Sequence, residues 1–522
     1  MGAMSGPSAW RGEILAVGLG LLAAAPASAA RGASAHDGIR ARGELRWGGD
    51  SQGGAPYVFQ DPVDPNHLIG FEVELAAMIA ARLGVRARPL QGQWEELLPL
   101  LARGDFDVAI NGIEIADEKR RVCDLSRPYY VSPERLTVRR GDAQAPRTLE
   151  ALRGRRVGTL PGSLAERILV RAGAEVRTYE GGQEEIYTDL RLGRTDAVLL
   201  DEAITRYYAL VEETLEVVPG ALGEVRYAVA LPKDDEPLRA AVDEAILTLG
   251  SDGTLRRIFS RWGLWNAPTA ALFAQPEAPS DGLAESWEAW RAAVGSLPSL
   301  WERLRDRYPR TLPLFARGAA LTFAVSVAAM ALAVALGLLL ALGRSFGPPS
   351  LRLLATAYIE LFRGTPLLVQ LTMIYFGLPE LGLKLGPFSA GVLALGLNYA
   401  AAEAENYRAG LESVPAGQRE AAWTLGLSTW QTIRHVLAPQ ALRVALPPMT
   451  NDFIALLKDS SLVALVTLVE LNKTYLSLAS SMRDHLGLGV LVSLCYLLLG
   501  LPFARLARFA ERRLGDRLRR PS

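Results

Sequence analysis

Cysteine is almost missing from this chain: its 522 residues include two, Cys123 and Cys495. Thiols so few and so far apart build neither a disulfide framework nor a thiolate zinc site. Histidine is scarce too, at four, and no His-Glu-x-x-His spacing occurs, so no metal site is expected. There is no Gly-Lys pair, hence no phosphate-cradling P-loop, and no Gly-x-Ser-x-Gly to mark a serine nucleophile. Net charge is absent, with 56 Lys+Arg against 56 Asp+Glu, which argues against a nucleic-acid binder working by bulk charge. With 50% apolar and 21% charged residues the chain is not mainly disordered. These absences predict a protein with no catalytic residues and no cofactor of its own.

What is present is unevenly spread. Residues 31–310 read as a soluble protein and 315–510 as a membrane one. Ahead of both, Arg11 precedes an apolar run, Ile14–Ala25, that is too short for a comfortable bilayer span. Ala27 and Ala29 fit the small-x-small pattern of an export cleavage site, so 1–30 is expected to be a signal peptide, with a retained anchor as the alternative. The following segment is then expected to fold outside the cytoplasm.

Between 37 and 265, short apolar runs alternate with amphipathic ones. Glu44–Gly49, Phe106–Asn111, Val157–Thr159, Val176–Tyr179 and Ala197–Leu200 read as strands. Gly70–Leu83 reads as a helix, with Phe71, Leu75, Met78, Ile79 and Leu83 on one face; Gln93–Arg103, Ser163–Arg171 and Glu184–Leu192 read as further helices. Two such blocks predict two α/β lobes with mainly parallel sheets, the second over about 142–222. Ligands of such sheets sit beyond the carboxyl ends of strands, so a cleft between lobes, closed by a hinge motion, is the expected site.

Four motifs occur here in order: Gly70-Phe71-Glu72-Val73-Glu74-Leu75, Gly104-Asp105-Phe106-Asp107-Val108, Ser126-Arg127-Pro128-Tyr129-Tyr130 and Asp252-Gly253-Thr254-Leu255. Together they resemble the polar amino-acid-binding proteins of bacterial ABC importers, over nearly all of 44–265. The resemblance implies a two-lobed α/β periplasmic-binding-protein-like domain that holds an α-amino acid by its charges. The carboxylate-binding Arg of that family falls on Lys119, which keeps the charge but loses the bidentate fork. Its helix-start hydroxyl falls on Ser163, where free N–H groups favour an anion. Its ammonium partner falls on Asp201, for which a helix N-cap is the competing role. Trp94 and Tyr57 stand at wall positions, with a core role as the alternative for Trp94. Asn111 and Gly112 offer polar contacts, and Asp50 completes the candidate set. Glu114 departs from the family, which has a small hydroxyl residue there. A carboxylate facing the cleft favours a cationic ligand, whereas pairing with Lys119 or Arg120 keeps Glu114 off the ligand.

Ala267–Asp281 is rich in Ala and Pro, and 266–300 as a whole reads as a linker. From Gly282 to Arg310, Trp287, Trp290 and Trp301 among charges suggest an interfacial helix on membrane lipid; packing on the soluble domain is the alternative. From 301 to 520 the chain reads as an all-α polytopic membrane domain. Gly318–Leu342 carries no charge, and later spans are expected near 353–378, 386–407, 446–470 and 487–509, five in all. Asn398, Glu403, Asn451 and Asp452 are costly in lipid and are candidates for a translocation pathway, with interhelix hydrogen bonding as the alternative. If the first span runs inward, the Arg-rich loops and the tail from Arg505 are cytoplasmic, in keeping with the positive-inside bias; the cluster Arg303, Arg305, Arg307, Arg310 and Arg317 runs against it.

Within 412–447, Glu420-Ala421-Ala422, Gly426, Val436 and Pro439 resemble the coupling loop of ABC importer permeases. Phe362–Gln370, Ser413–Gln418 and Lys458–Leu462 resemble the polar amino-acid permeases in particular, and the match spans about 308–510. This implies that Glu420, Ala421, Ala422 and Gly426 dock a separate ATP-binding subunit, where ATP and Mg would bind, and that two membrane domains pair as a homodimer. The chain as a whole is then a fused importer subunit at the plasma (inner) membrane, not an enzyme, taking up a polar amino acid; a non-standard amino acid or amine is the alternative. A ligand-gated channel is disfavoured because the spans follow a complete soluble domain without a filter sequence. A sensor is disfavoured because the basic tail is too short for an output domain.

Overall fold

The computed structural model describes residues 35–179, 183–280, 284–294 and 298–515, so the expected signal peptide lies outside the described residues. Among the described residues the chain divides into two compact units, 35–316 with 474–492, and 317–473 with 493–515.

The first unit builds two five-membered strand paths. One runs β4 (Arg86–Gln91), β1 (Glu44–Gly49), β5 (Val108–Ala109), β13 (Ala230–Leu231), β6 (Asp124–Leu125). The other runs β11 (Leu215–Val217), β7 (Tyr130–Arg139), β10 (Ala197–Asp201), β8 (Arg156–Thr159), β9 (Glu175–Thr178), with β12 (Glu224–Tyr227) also paired to β7. β2 (Phe59–Gln60) and β3 (Leu68–Ile69) form a small separate pair.

Both sheets are mixed rather than mainly parallel. β1 is parallel to β4 and β5, and β8 to β9 and β10. β7 is antiparallel to β10, β11 and β12, and β13 to β5 and β6. The cause is connectivity: the chain passes between lobes through β7 and returns through β12 and β13, and such crossings need no helical crossover to a parallel neighbour.

The Phe71–Arg82 helix buries Phe71, Leu75 and Ile79 at four-residue spacing. Met78, expected on the same face, is 37% exposed. The expected strand Phe106–Asn111 shortens to Val108–Ala109. Two short helices, Ala267–Leu272 and Glu285–Val294, interrupt the expected linker. Trp287 and Trp290 are not membrane anchors: both are buried, with ring centroids 4.7 and 4.9 Å from Tyr207. Their apolar area is spent on the soluble core, which removes the reason for an interfacial helix.

The second unit is helical. Leu300–Phe346, which begins in the first unit, and His485–Phe509 are long and apolar enough to cross a membrane. The expected span at 353–378 is instead a pair, Pro349–Gly364 and Leu367–Leu381, bent by 106°. The break falls at Thr365-Pro366, where Thr365 is extended at φ −120 and ψ 144. Proline disfavours helical geometry in the residue before it and supplies no N–H of its own. The expected spans at 386–407 and 446–470 correspond to the helices Pro387–Glu412 and Ala438–Asp459. Neither passes by length and composition; among the described residues two helices do, or three if the bent pair is one span. The second stops at Asp459, followed by a 3-10 turn, Ser460–Val466, and a left-handed Thr467. A Cβ on Gly410 would meet the Ala441 carbonyl oxygen at 2.5 Å, so glycine is what lets these two helices approach.

Candidate functional site: a carboxylate-rich cleft between two lobes

β10 ends at Asp201, which starts the Glu202–Tyr208 helix and caps it, accepting from Ala203 and Ile204 N–H at 2.8 and 3.1 Å. Tyr57 from the first lobe donates its hydroxyl to the same Oδ1 at 2.9 Å, and Ser132 lies 3.4 Å from it. Tyr57 also stands 3.3 Å, oxygen to oxygen, from the Tyr227 hydroxyl. Burial raises the Asp201 carboxyl to about 6 against these donors, which pull the other way. Capping and cleft placement are therefore compatible.

The first lobe supplies the facing wall. Gly112 adopts φ +60, and its N–H reaches Glu72 Oε1 at 2.7 Å. Tyr57 covers Gly112, where a Cβ would come within 3.2 Å of the ring. Trp94 donates Nε1–H to the Asn111 carbonyl at 2.9 Å, and Asn111 Oδ1 accepts from Asp50 N–H. Asp50 braces this loop, accepting from Gln91 Nε2 at 2.7 Å and Trp94 N at 3.2 Å. Lys119 Nζ lies 5.2 Å from the Trp94 ring centroid, and burial pulls its pKa down.

Among the described residues Glu114 makes no hydrogen bond or ion pair with Lys119 or Arg120, although its charge acts on Lys119. It crosses the cleft: Oε1 accepts from Leu164 N at 2.9 Å and Oε2 from Arg167 Nη2 at 3.0 Å. Ser163 caps the Leu164–Ala172 helix, accepting from Glu166 N at 3.1 Å and donating to the Leu160 carbonyl at 2.7 Å. The structure thus brings all nine binding candidates to one cleft, but Asp50 and Ser163 are occupied in holding their own loops.

Three further groups escape a motif-based reading. Glu72 stands in a helix first turn, where a carboxylate ordinarily complements the dipole. Here it bonds Gly112 and the Tyr129 hydroxyl, and burial raises its pKa to about 7. Arg167 is a helix residue with no marker in sequence. Glu134 sits on β7 opposite Asp201 on β10, and burial beside that carboxylate pushes its pKa well up. Its signal was available: a charged residue at an alternate position that otherwise holds Ser132, Leu136 and Val138.

In the helical unit, Asn398 braces the bent pair, donating to Gln370 Oε1 at 3.0 Å and to the Phe362 carbonyl at 3.3 Å. Gln370 in turn donates to Thr365 and Phe362 at the break. Glu403 is fully buried, and Asp452 accepts from Asn406 at 2.7 Å. Asn451 is exposed. The segment Ala416–Thr424 is a helix that leaves Glu420 and Ala421 exposed and buries Ala422. Gly426 follows at φ +79, a left-handed turn that ends it.

Such an arrangement defines a two-lobed ligand-binding domain joined to a helical membrane domain. Residues 45–264 match the bacterial extracellular solute-binding proteins, family 3. Residues 333–516 match the inner membrane component of binding-protein-dependent transport systems. The L-cystine-binding protein TcyJ of Escherichia coli (strain K12) is 36% identical over 210 residues, covering 40% of this chain and 78% of that protein. The glutamine transport system permease protein GlnP of the same organism is 37% identical over 205 residues, covering 39% of this chain and 94% of that protein. The L-cystine transport system permease protein TcyL of Bacillus subtilis (strain 168) is 40% identical, covering 34% and 78% respectively. The chain belongs to the amino-acid ABC importers, with the solute-binding and permease domains fused in one polypeptide. It is a transport component of the inner membrane whose family works with an ATP-binding partner and an amino-acid ligand.

Proposed function

We propose that the cleft captures an amino acid and passes it to a membrane pathway, with uptake driven by ATP hydrolysis on a separate subunit. The observation that carries this reading is Asp201, a buried carboxylate at the carboxyl end of β10 that meets Tyr57 across the cleft. In this reading Asp201 takes the ligand ammonium and Lys119 its carboxylate. Tyr57 and Trp94 enclose the side chain, and Asn111 and Gly112 present polar groups. Asp50 and Ser163 act by positioning those loops. The relatives named above handle cystine and glutamine, and a polar amino acid of that size is the ligand proposed.

Glu420, Ala421, Ala422 and Gly426 form the docking segment for the ATP-binding subunit, which carries ATP and Mg. The exposed side chains of Trp423 and Leu425 add apolar surface there. Glu403 and Asp452, with Asn406 between, are the polar groups proposed for the pathway; Asn398 supports the bent helix pair. Two membrane domains pair as a homodimer. The Arg distribution supports a cytoplasmic C-terminus and a binding domain on the periplasmic or extracellular side. Fusion keeps the binding domain at high local concentration beside its permease.

The test is calorimetry of the full-length chain with a panel of amino acids, repeated with Asp201→Ala. Tight binding of one amino acid, lost in the variant, is the expected result. Binding that survives Asp201→Ala contradicts the ammonium site.

A further inference from the structure

In the helical unit, four arginines from four helices meet around one cavity of about 750 Å3. Arg344 stands near the end of Leu300–Phe346 and Arg352 in the first turn of Pro349–Gly364. Arg408 lies near the end of Pro387–Glu412, and Arg419 belongs to Ala416–Thr424. Phe346, Val414 and Leu437 supply apolar lining beside them.

These charges are unevenly matched. Glu405 pairs with Arg344 and, at 2.7 Å, with Arg408; Glu412 pairs with Arg408 at 2.6 Å. Arg352 makes no hydrogen bond or ion pair among the described residues. Arg419 has no carboxylate partner among them either. It lies over the Trp423 ring, 5.7 Å from the centroid, a contact that uses the guanidinium face and leaves its N–H edge for an acceptor. Like charges gathered without a counter-charge repel one another, and guanidinium forks match phosphate oxygens in geometry as well as charge.

The cavity also lies at a defined depth. Gly318–Leu342 carries no charge and as a helix spans about 37 Å, more than the ~30 Å hydrocarbon core of a bilayer. Arg344 follows this run directly, which sets the cavity where lipid phosphates lie. Leu353 and Leu354, 70% and 67% exposed, sit on the helix that carries Arg352. They give acyl chains an apolar surface beside the charged one. A soluble anion would use the arginines but not the leucines.

We propose that this cavity binds the phosphate of an acidic phospholipid, with Arg352 and Arg419 as its main partners and the acyl chains along Leu353 and Leu354. Arg344 and Arg408 strengthen the positive field around it. The bound phosphate ties the Ala416–Thr424 helix to the ends of three other helices. Lipid binding here does not depend on whether 420–426 docks an ATP-binding subunit.

The experiment is a thermal melt of the full-length chain in neutral detergent, alone and co-purified with its ATP-binding subunit. Phosphatidylglycerol, phosphatidylcholine or inorganic phosphate is added. Phosphatidylglycerol is expected to raise the melting temperature by about 4 °C or more at saturation, and the other two by about 1 °C or less. Arg352→Gln with Arg419→Gln is expected to lose that rise while still melting cooperatively without lipid. Arg443→Gln with Arg505→Gln removes the same charge elsewhere in the unit and is expected to keep it. A rise kept in the cavity variant, or lost equally in the control, overturns the proposal. Inorganic phosphate that matches phosphatidylglycerol makes this a free-anion site and overturns the lipid assignment. A rise that vanishes in the co-purified complex gives the cavity to the ATP-binding subunit and overturns it too. Should the double variant fail to fold, Arg352→Gln alone breaks no bond of the fold, and an undiminished rise there overturns the proposal.

Discussion

The Tyr57 hydroxyl donates to Asp201 Oδ1 at 2.9 Å, and the two residues belong to different lobes. The bond gives a buried carboxylate a donor from the other lobe. Tyr57→Phe removes that donor while keeping the ring over Gly112. Ligand affinity is expected to fall by about tenfold, the scale of one hydrogen bond to a charged group, with the melting temperature nearly unchanged. Asp201→Ala is expected to abolish measurable binding and also to lower stability by about 1 kcal/mol, because Asp201 caps a helix. Calorimetry and thermal melts on the two variants separate these effects.

Asp201 also predicts a pH dependence. Its carboxyl titrates near 6, raised by burial, and only the ionised form attracts a cation. Binding of a cationic ligand is therefore expected to weaken as pH falls through about 6, with net proton release on binding below that. Calorimetry in buffers of different ionisation enthalpy reads the protons directly.

Glu72 makes the reverse prediction for stability of the empty chain. Its folded value, about 7, lies above the ordinary carboxyl value of 4.5, with burial the largest cause. The folded state binds the proton more tightly, so this contribution is fully present below about 4.5 and is lost as pH rises through 7. A shift of this size corresponds to ~3 kcal/mol at most. Glu72→Gln is expected to flatten the pH 5–8 dependence of the melting temperature; an unchanged slope counts against the assignment.

Gly112 allows the close approach of Tyr57 at a positive φ. Gly112→Ala strains the backbone and pushes on the ring, so about 1–2 kcal/mol of stability is expected to be lost. Ligand affinity should fall with it, because the Glu72 bond to the Gly112 N–H sets the loop. A melt and a binding isotherm on one sample check both.

The Ala416–Thr424 helix and its glycine stop make a prediction about coupling. Glu420→Ala with Gly426→Pro is expected to leave ligand binding intact and to abolish uptake by reconstituted transporter. Proline cannot adopt φ +79, so the exit from the helix is rebuilt. Loss of ligand binding in this variant would contradict the division between capture and drive.

The strands at Glu44–Gly49 and Ala197 onward, and the helices from Phe71 and after Ser163, were legible because local apolar periodicity and a capping serine dictate them. The family was legible because several motifs recur in order in each half. The mixed sheets were not, since strand direction depends on where the chain returns after visiting the second lobe. Nor was the fate of Trp287 and Trp290: an aromatic helix suits a membrane surface and a protein core equally, and the partner, Tyr207, lies about eighty residues away in sequence.

By itself, the sequence determined that the chain joins a solute-binding domain to a permease domain and carries no P-loop of its own, because those features are written in contiguous residues at fixed spacing. Only the tertiary structure decided how the charges of the cleft are shared. Glu114 meets Arg167 and not Lys119, and Glu134 faces Asp201, because partners in a two-lobed cleft are chosen by strand register and lobe closure. Those bring together residues 53 and 67 positions apart, and no local pattern records the pairing.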